Sequence, residues 1–261
     1  MPEHTRDVCI VGAGPAGLAA AMTAAERGHT VTLFDRANQI GGQLNMARDI
    51  PGKEEFHSLV DWFDTMVQEL AVTLKLGATA TADDLAGFDE VIIATGVLPR
   101  DPQIPGQEGP NVVGYVDVLR GKAEVGRRVA VIGAGGIGFD VSEYLVHDRE
   151  SPTESLPDWM REWGVTDPAE ARSGLDPEGA QPEPPVRQVA LLQRKSEKPG
   201  RRLGKTTGWI HRMSLKMKDV QMKSGVNYER IDAQGLHISH GETRERPELM
   251  ECDTVVLCAG Q

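Results

Sequence analysis

The chain has 261 residues, 39% of them hydrophobic, which is enough for one large domain or two of ordinary size. Its formal net charge is -11 at pH 7, which argues against nucleic acid or an anionic membrane surface as a main partner. No run of about 18 apolar residues and no secretory signal are found, so we expect no membrane span and a cytoplasmic location.

The cysteine content indicates a reducing compartment. Cys9, Cys252 and Cys258 show no C-x-x-C spacing, so no disulfide framework or redox dithiol is expected. An iron–sulfur cluster usually requires four cysteines, and we predict no metal site within these residues.

The first part of the chain predicts a βαβ unit, followed by a further helix and two strands. In chain order the predicted elements are a strand over 7–11, a helix over 15–28, a strand over 30–34, a helix over 53–70, and strands over 72–76 and 90–96. Three prolines between 99 and 105 then mark a domain crossover.

The same pattern restarts at Arg128. The predicted elements are a strand over 128–132, a helix over 137–147, a strand over 188–195, a helix over 206–218, and short strands over 226–231, 235–239 and 253–260. An acidic, proline-rich insertion at about 148–187 is expected to be an irregular surface excursion. The predicted domains are 1–115 and 116–261.

A glycine-rich turn joins the first strand to the first helix. Gly12, Gly14 and Gly17 have G-x-G-x-x-G spacing, which allows a tight turn, close approach of a pyrophosphate, and close packing of helix on strand. The N–H groups at the start of the helix attract the phosphates. Asp35 lies 23 residues beyond Gly12, where a carboxylate accepts ribose hydroxyls. These features predict a dinucleotide site; a purely structural turn is the alternative.

A second turn of the same kind is formed by Gly133, Gly135 and Gly138. Arg194 and Lys195 stand at the end of the following strand, where the first unit has its acid. Two cations there suit a ribose 2′-phosphate, so this site is predicted to bind NADPH. Solvated surface cations are the alternative. Two sites imply a second dinucleotide, and the glycine pair in "IGGQLN" after Asp35 favours FAD at the first.

The order GAGPAG, acid, GGQL, ATG, GAGGIG and CAG resembles flavoproteins of the pyridine-nucleotide–disulfide-oxidoreductase type. This resemblance implies an α/β fold with two Rossmann-like dinucleotide-binding domains, C-terminally truncated. The runs "IGGQLNMARDIPGKEEF" and "LLQRKSEKPGRRLGKTTGWIHR" also resemble the C-terminal part of bacterial NADPH-dependent 2,4-dienoyl-CoA reductases, which are related to old yellow enzyme and trimethylamine dehydrogenase.

The sequence and the resemblance together assign cofactor-binding residues and no catalytic side chain. The residues expected at FAD are Gly12, Gly14, Pro15, Ala16, Gly17, Asp35, Arg36, Gly41, Gly42, Gln43, Leu44, Thr95 and Gly96. Those expected at NADPH are Gly133, Gly135, Gly136, Ile137, Gly138, Arg194 and Lys195, and Gly260 is expected near a cofactor.

The resemblance further implies partners outside these residues. In such reductases an N-terminal barrel with FMN and a [4Fe–4S] cluster receives electrons from FAD and reduces the dienoyl-CoA. Neither the barrel nor a flavin-contacting return segment is present in this sequence, so the chain is expected to be a fragment. The alternatives are an electron-input module of an amine dehydrogenase or glutamate-synthase-like enzyme, and a structural ADP-binding module without redox activity.

Overall fold

A computed structural model describes residues 4–148 and 151–261. They divide into two compact units. The first runs to Asp49 and continues over Lys53–Leu98, and the second comprises Ile50–Gly52 and Pro99–Gln261. The predicted boundary after residue 115 therefore falls inside the second unit, because the strand before it pairs with that unit's sheet.

The first unit contains a four-stranded parallel sheet in the order β3-β2-β1-β4. Its strands are β1 (Asp7–Val11), β2 (Thr30–Asp35), β3 (Thr73–Leu76) and β4 (Glu90–Ile93). Its helices are α1 (Pro15–Glu26), α2 (Leu44–Ala47), α3 (Glu55–Glu69) and α4 (Ala82–Leu85).

The elements of this unit form and pack because its strands are short and apolar and its first helix contains many small residues. Val8, Cys9 and Ile10 are buried in β1, as a central parallel strand requires. Helix α1 begins with a proline, which is tolerated in the first turn, and its alanines and glycine permit close approach to the sheet. Helix α3 buries Val60, Phe63 and Val67, which recur at helical spacing on one face.

The second unit contains a five-stranded parallel sheet in the order β5-β12-β6-β7-β8 and a three-stranded antiparallel sheet in the order β11-β10-β9. The parallel strands are β5 (Val112–Gly114), β6 (Arg128–Ile132), β7 (Gln188–Leu192), β8 (Gln221–Lys223) and β12 (Thr254–Leu257). The antiparallel strands are β9 (Val226–Asp232), β10 (Gly235–His240) and β11 (Glu245–Glu251). The helices are α5 (Tyr115–Leu119), α6 (Gly136–Val146), α7 (Leu156–Trp163) and α8 (Gly208–Met217).

The register of the parallel sheet positions the second candidate site. Strands β6 and β7 are adjacent, and Ile132 is opposite Leu192 at their carboxyl ends. The glycine turn after β6 and the cations after β7 therefore leave the sheet at the same edge, where open α/β sheets bind their ligands. The predicted fold class, an α/β fold with Rossmann-like dinucleotide-binding elements, is confirmed.

The insertion is more ordered than the sequence suggested. Within its described part, helix α7 starts at the N-cap Ser155 and ends at Gly164 with φ 64. Lys218 and Glu162 form a buried ion pair at 2.9 Å, which ties α7 to the end of α8. The expectation of an irregular excursion was wrong for this helix, and residues 149 and 150 lie outside the described part.

Across residues 4–148 and 151–261, no helix has both the length and the apolar character that crossing a bilayer requires.

Candidate functional site

The first glycine turn leaves room for a ligand at one glycine. A Cβ on Gly12, where φ is +111, would lie 2.3 Å from the Ala94 carbonyl oxygen, and one on Gly17 would lie 1.8 Å from the Gly12 carbonyl oxygen. Both positions therefore require glycine for packing. A Cβ on Gly14 would meet only the Gly42 Cα, at 3.9 Å. The turn is thus open above Gly14, where the phosphates of a dinucleotide approach.

Residues from β2 and the loop after it surround this turn. The Asp35 carboxylate accepts hydrogen bonds from the Ala13 N–H at 2.6 Å and the Ala37 N–H at 2.7 Å. The Gly41 N–H donates to the Ala13 carbonyl oxygen at 2.8 Å. A Cβ on Gly42 would lie 2.8 Å from the Gly14 Cα, so the glycine pair lets this loop pack on the turn. Asp35 is therefore bonded to the turn itself, which the sequence did not predict.

The other residues predicted at the first site lie around the same turn or next to it in the chain. Gln43 is the N-cap of α2 and Leu44 its first residue. Thr95 and Gly96 follow β4, and the Thr95 Cα would lie 3.1 Å from a Cβ on Gly12. Pro15 and Ala16 are exposed at the start of α1, and Arg36 is exposed just after β2. The structure places these residues at the carboxyl edge of the sheet.

The second turn repeats the first in detail. Gly133 also has φ +111, and a Cβ there would lie 2.2 Å from the Cys258 carbonyl oxygen. A Cβ on Gly138 would lie 1.7 Å from the Gly133 carbonyl oxygen. A Cβ on Gly135 or Gly136 would meet no atom within 4 Å. The space above the middle of the turn is therefore open here too, and α6 begins at this point with Gly136 and Ile137 in its first turn.

A cavity of about 580 Å³ lies over the second turn. It is lined by Gly133, Gly135, Arg194 and Lys195, so the structure brings these four predicted residues together. Gly260 lies at the end of the chain beyond β12, and its carbonyl oxygen accepts the Arg100 N–H at 2.9 Å. Gly138 is buried beneath the turn and does not line the cavity.

The cavity has a strongly cationic lining. Six cationic and two acidic side chains line it, namely Arg100, Arg194, Lys195, Arg201, Arg202 and Arg244, with Glu197 and Glu229. Glu197 attracts Arg202 at 3.4 Å and Arg201 at 3.7 Å. Within the described part of the chain, neither Arg194 nor Lys195 forms an ion pair. A surplus of positive charge therefore faces any ligand, as phosphate binding requires.

The loop that carries Arg194 and Lys195 is fixed by its neighbours. The Gln193 side-chain amide donates to the Lys195 and Glu197 carbonyl oxygens. The Tyr228 hydroxyl donates to the Leu192 carbonyl oxygen at 3.0 Å, and burial raises the pKa of that hydroxyl, which keeps it protonated as a donor. The strand end is therefore ordered before a ligand arrives.

Sequence reasoning did not select several lining residues. Arg201 and Arg202 are consecutive cations in "GRRLGK", which was a usable signal. Tyr228 and Arg244 line the cavity from the antiparallel sheet. Both are far from the glycine turn in sequence, and no local sequence pattern predicts their position.

The cysteines show no sign of redox or metal chemistry among the described residues. All three are buried and free, and burial raises the pKa of Cys258, which keeps its thiol protonated. In the same part of the chain, no three His, Cys, Asp or Glu side chains are grouped so that they could hold a metal ion.

Comparison with known proteins places these features among redox proteins. The metal reductase of Desulforamulus reducens is 29% identical over 259 residues, which are 97% of this chain and 37% of that protein. The N,N-dimethylglycine/sarcosine dehydrogenase of Chromohalobacter salexigens is 36% identical over 163 residues, 59% of this chain and 23% of that protein. The chain thus spans well under half the length of these relatives.

The fold also matches solved structures. A structure of 2-naphthoyl-CoA reductase with 2-naphthoyl-CoA aligns with a TM-score of 0.78 and 24% identity, covering 99% of this chain and 33% of that one. The family model described as pyridine nucleotide-disulphide oxidoreductase matches residues 6–261. The two glycine turns, the strand ends beside them and this match lead to one conclusion: the chain belongs to the pyridine nucleotide-disulphide oxidoreductase family.

Proposed function

We propose that the chain is an NADPH:FAD oxidoreductase module. One observation carries this proposal: two turns of the same geometry differ in the charge of the strand end beside them. Asp35 is an acid next to the first turn, while Arg194 and Lys195 line the cavity over the second. An acid suits ribose hydroxyls and paired cations suit a 2′-phosphate, so the two turns are assigned to FAD and NADPH respectively.

At the first turn, the residues present fit a flavin dinucleotide. The open space above Gly14 admits the pyrophosphate, and the N–H groups at the start of α1 hold it. Asp35 accepts the ribose hydroxyls. The loop with Gly41, Gly42 and Gln43 packs on the turn and lines the way toward the flavin end.

At the second turn, the residues present fit NADPH. The open space above Gly135 admits its pyrophosphate, and the start of α6 supplies N–H donors. Arg194 and Lys195 bind the 2′-phosphate through charge-assisted hydrogen bonds, which discriminate against NADH. Gln193 and Tyr228 hold the strand end in place.

The residues around the first turn would hold FAD, which would supply hydride acceptance from NADPH and release of the two electrons one at a time. The side chains of this module orient and bind, and none is assigned a covalent role. The number and spacing of the cysteines are those of a protein from a reducing compartment, and the cytoplasm is the proposed location.

We assign the electrons to the reduction of 2,4-dienoyl-CoA, through a [4Fe–4S] cluster and FMN in a barrel that a longer protein would supply. The support is the similarity of the run from Leu191 to Arg212 to such reductases. An electron-input role in an amine dehydrogenase is the second candidate, favoured by the dehydrogenase of Chromohalobacter salexigens. Assaying a longer protein that contains this chain with NADPH and either a dienoyl-CoA or a methylated amine separates the two.

The module itself is tested by reconstituting the chain with FAD without oxygen and adding NADPH or NADH. We expect loss of the flavin absorbance, with a much lower half-saturating concentration for NADPH. A chain that binds no FAD while still binding ADP would instead support a structural module. Equal responses to NADPH and NADH would overturn the 2′-phosphate assignment.

A further inference from the structure

Arg244 occupies an unusual position in the antiparallel sheet. It lies in the turn between β10 and β11 and lines the same cavity as Arg194 and Lys195. Its φ is +53, in the left-handed region that residues with side chains seldom adopt. Tight hairpin turns often contain a residue in this conformation, and here the turn directs Arg244 to the cavity.

A chain of backbone hydrogen bonds holds this turn beside the cationic strand end. The Gly225 N–H donates to the Lys195 carbonyl oxygen at 2.9 Å, and the Gly241 N–H donates to the Gly225 carbonyl oxygen at 3.0 Å. The Asn227 side-chain amide donates to the Gly241 carbonyl oxygen at 2.8 Å, which fixes the turn from a second direction. The turn that carries Arg244 is therefore tied to Lys195, although the two residues are 49 positions apart in sequence.

The side chain of Arg244 is oriented by an acid. Its guanidinium lies 3.0 Å from the Glu229 carboxylate, which also accepts a hydrogen bond from the Ser239 hydroxyl at 2.5 Å. The Arg244 side chain is 65% exposed, so the pair is accessible to an incoming ligand. A guanidinium has five N–H donors, so the bond to Glu229 leaves others for a phosphate.

We propose that Arg244 is a specificity-determining residue that contacts the 2′-phosphate of the nucleotide and that Glu229 positions it. This rests on the proposed NADPH site. The 2′-phosphate is favoured over the pyrophosphate as its ligand because the turn is tied to Lys195, at the strand end, and not to the start of α6. The 2′-phosphate is thus bound from two sides, by β7's end and by the antiparallel sheet.

The test compares two ligands that differ only in the 2′-phosphate, adenosine 2′,5′-bisphosphate and 5′-AMP. Their affinities are measured by isothermal titration calorimetry on the full chain and on Arg244→Gln, Arg244→Lys and Arg230→Gln. Arg230 is the matched control, because it lies on β9 next to Glu229 and pairs with Asp232 without lining the cavity. Equal thermal midpoints verify that the variants are folded.

Arg244→Gln is expected to weaken the bisphosphate about fivefold, as for one exposed charge pair, and to leave 5′-AMP within about twofold. Arg244→Lys keeps the charge and should stay within about twofold for both ligands, as should Arg230→Gln. An equal effect of Arg244→Gln on both ligands, or no effect on either, would overturn the role of Arg244. If the unaltered chain itself fails to prefer the bisphosphate, the NADPH assignment fails first.

Discussion

The two glycine turns have nearly the same backbone but different surroundings. Gly12 and Gly133 share the same φ of +111, and each is pressed against the carbonyl oxygen at the end of a neighbouring strand. The first turn is closed on one side by Asp35, which accepts the Ala13 N–H. The second opens into a cavity lined by cations. We therefore propose that the shared backbone geometry makes a phosphate site at each turn and that the end of the next strand determines which nucleotide binds there.

Substituting a glycine whose Cβ would overlap the backbone should reduce stability far more than substituting a glycine beside open space. Gly138→Ala should lower the free energy of unfolding by about 3 kcal/mol, because its Cβ would overlap the Gly133 carbonyl oxygen. Gly136→Ala is the matched control, since nothing lies within 4 Å of its Cβ. Urea unfolding of both variants is the measurement, and equal stabilities would contradict the described geometry.

The open glycines should control binding without controlling stability. Gly135→Ala is expected to weaken NADP⁺ by about 30-fold, roughly 2 kcal/mol, because the methyl group fills the space reserved for the pyrophosphate. FAD affinity should not change. Gly14→Ala should weaken FAD binding and leave NADP⁺ affinity unchanged. Calorimetric titration of each variant with both nucleotides tests this, and loss of both ligands in either variant would show that the two turns are not independent binding sites.

The charges at the strand ends should determine selectivity. The double variant Arg194→Ala with Lys195→Ala is expected to weaken NADP⁺ about tenfold more than NAD⁺, because only the former carries the 2′-phosphate. Asp35→Asn should leave both nicotinamide nucleotides unaffected and weaken FAD. The ratio of the two dissociation constants is the readout, and a ratio that stays constant in the double variant rejects this assignment.

A small effect of pH on stability is expected from the residue at the C-terminus of α6, which has no counterpart at the C-terminus of α1. The C-cap residue of α1 is Arg27, whereas that of α6 is His147, which is buried beside Glu143 and Glu162. Burial alone would lower the pKa of His147. The Glu162 carboxylate, the hydrogen bond to the Glu143 carbonyl oxygen and the charge of Glu143 more than offset this, so the net shift is upward despite the nearby Lys218.

A raised pKa means that the protonated His147 stabilises the fold below its unfolded pKa of about 6.5, and this contribution is lost as pH rises through the folded value. The stability of the protein should therefore fall as the pH rises from about 6.5 through the folded-state pKa of His147, and His147→Gln should reduce that fall. Glu162, whose pKa is lowered although burial opposes the shift, loses its contribution only at acidic pH. An identical pH profile in the variant would exclude His147 as the cause.

Much of the fold follows from local sequence signals. Strands β1 and β6 occupy the predicted residues because each is a short apolar run that ends in a glycine turn. The helix of the insertion was missed because prolines suggested breaks. Pro157, however, lies in the first turn, where a proline is tolerated, and Ser155 caps the helix. Those signals were present in the sequence but were outweighed by composition.

The candidate sites were only partly predictable. Glycine spacing identifies both turns because a Cβ at the first or last glycine of each would overlap a backbone carbonyl oxygen, as at Gly12, Gly17, Gly133 and Gly138. The bond from Ala13 to Asp35 and the approach of Arg244 to Lys195 depend on tertiary pairing between distant segments. No local pattern in a single sequence predicts such contacts. The cavity residues from the antiparallel sheet were therefore identified only in the structure.

We propose that this chain binds two different dinucleotides at the same time, one at each glycine turn. The most direct test is a calorimetric titration with NADP⁺ of the chain saturated with FAD, repeated on the chain without FAD. We expect one NADP⁺ site in both samples, with FAD still bound at the end. Displacement of FAD by NADP⁺, or loss of the NADP⁺ site once FAD is bound, would contradict this proposal.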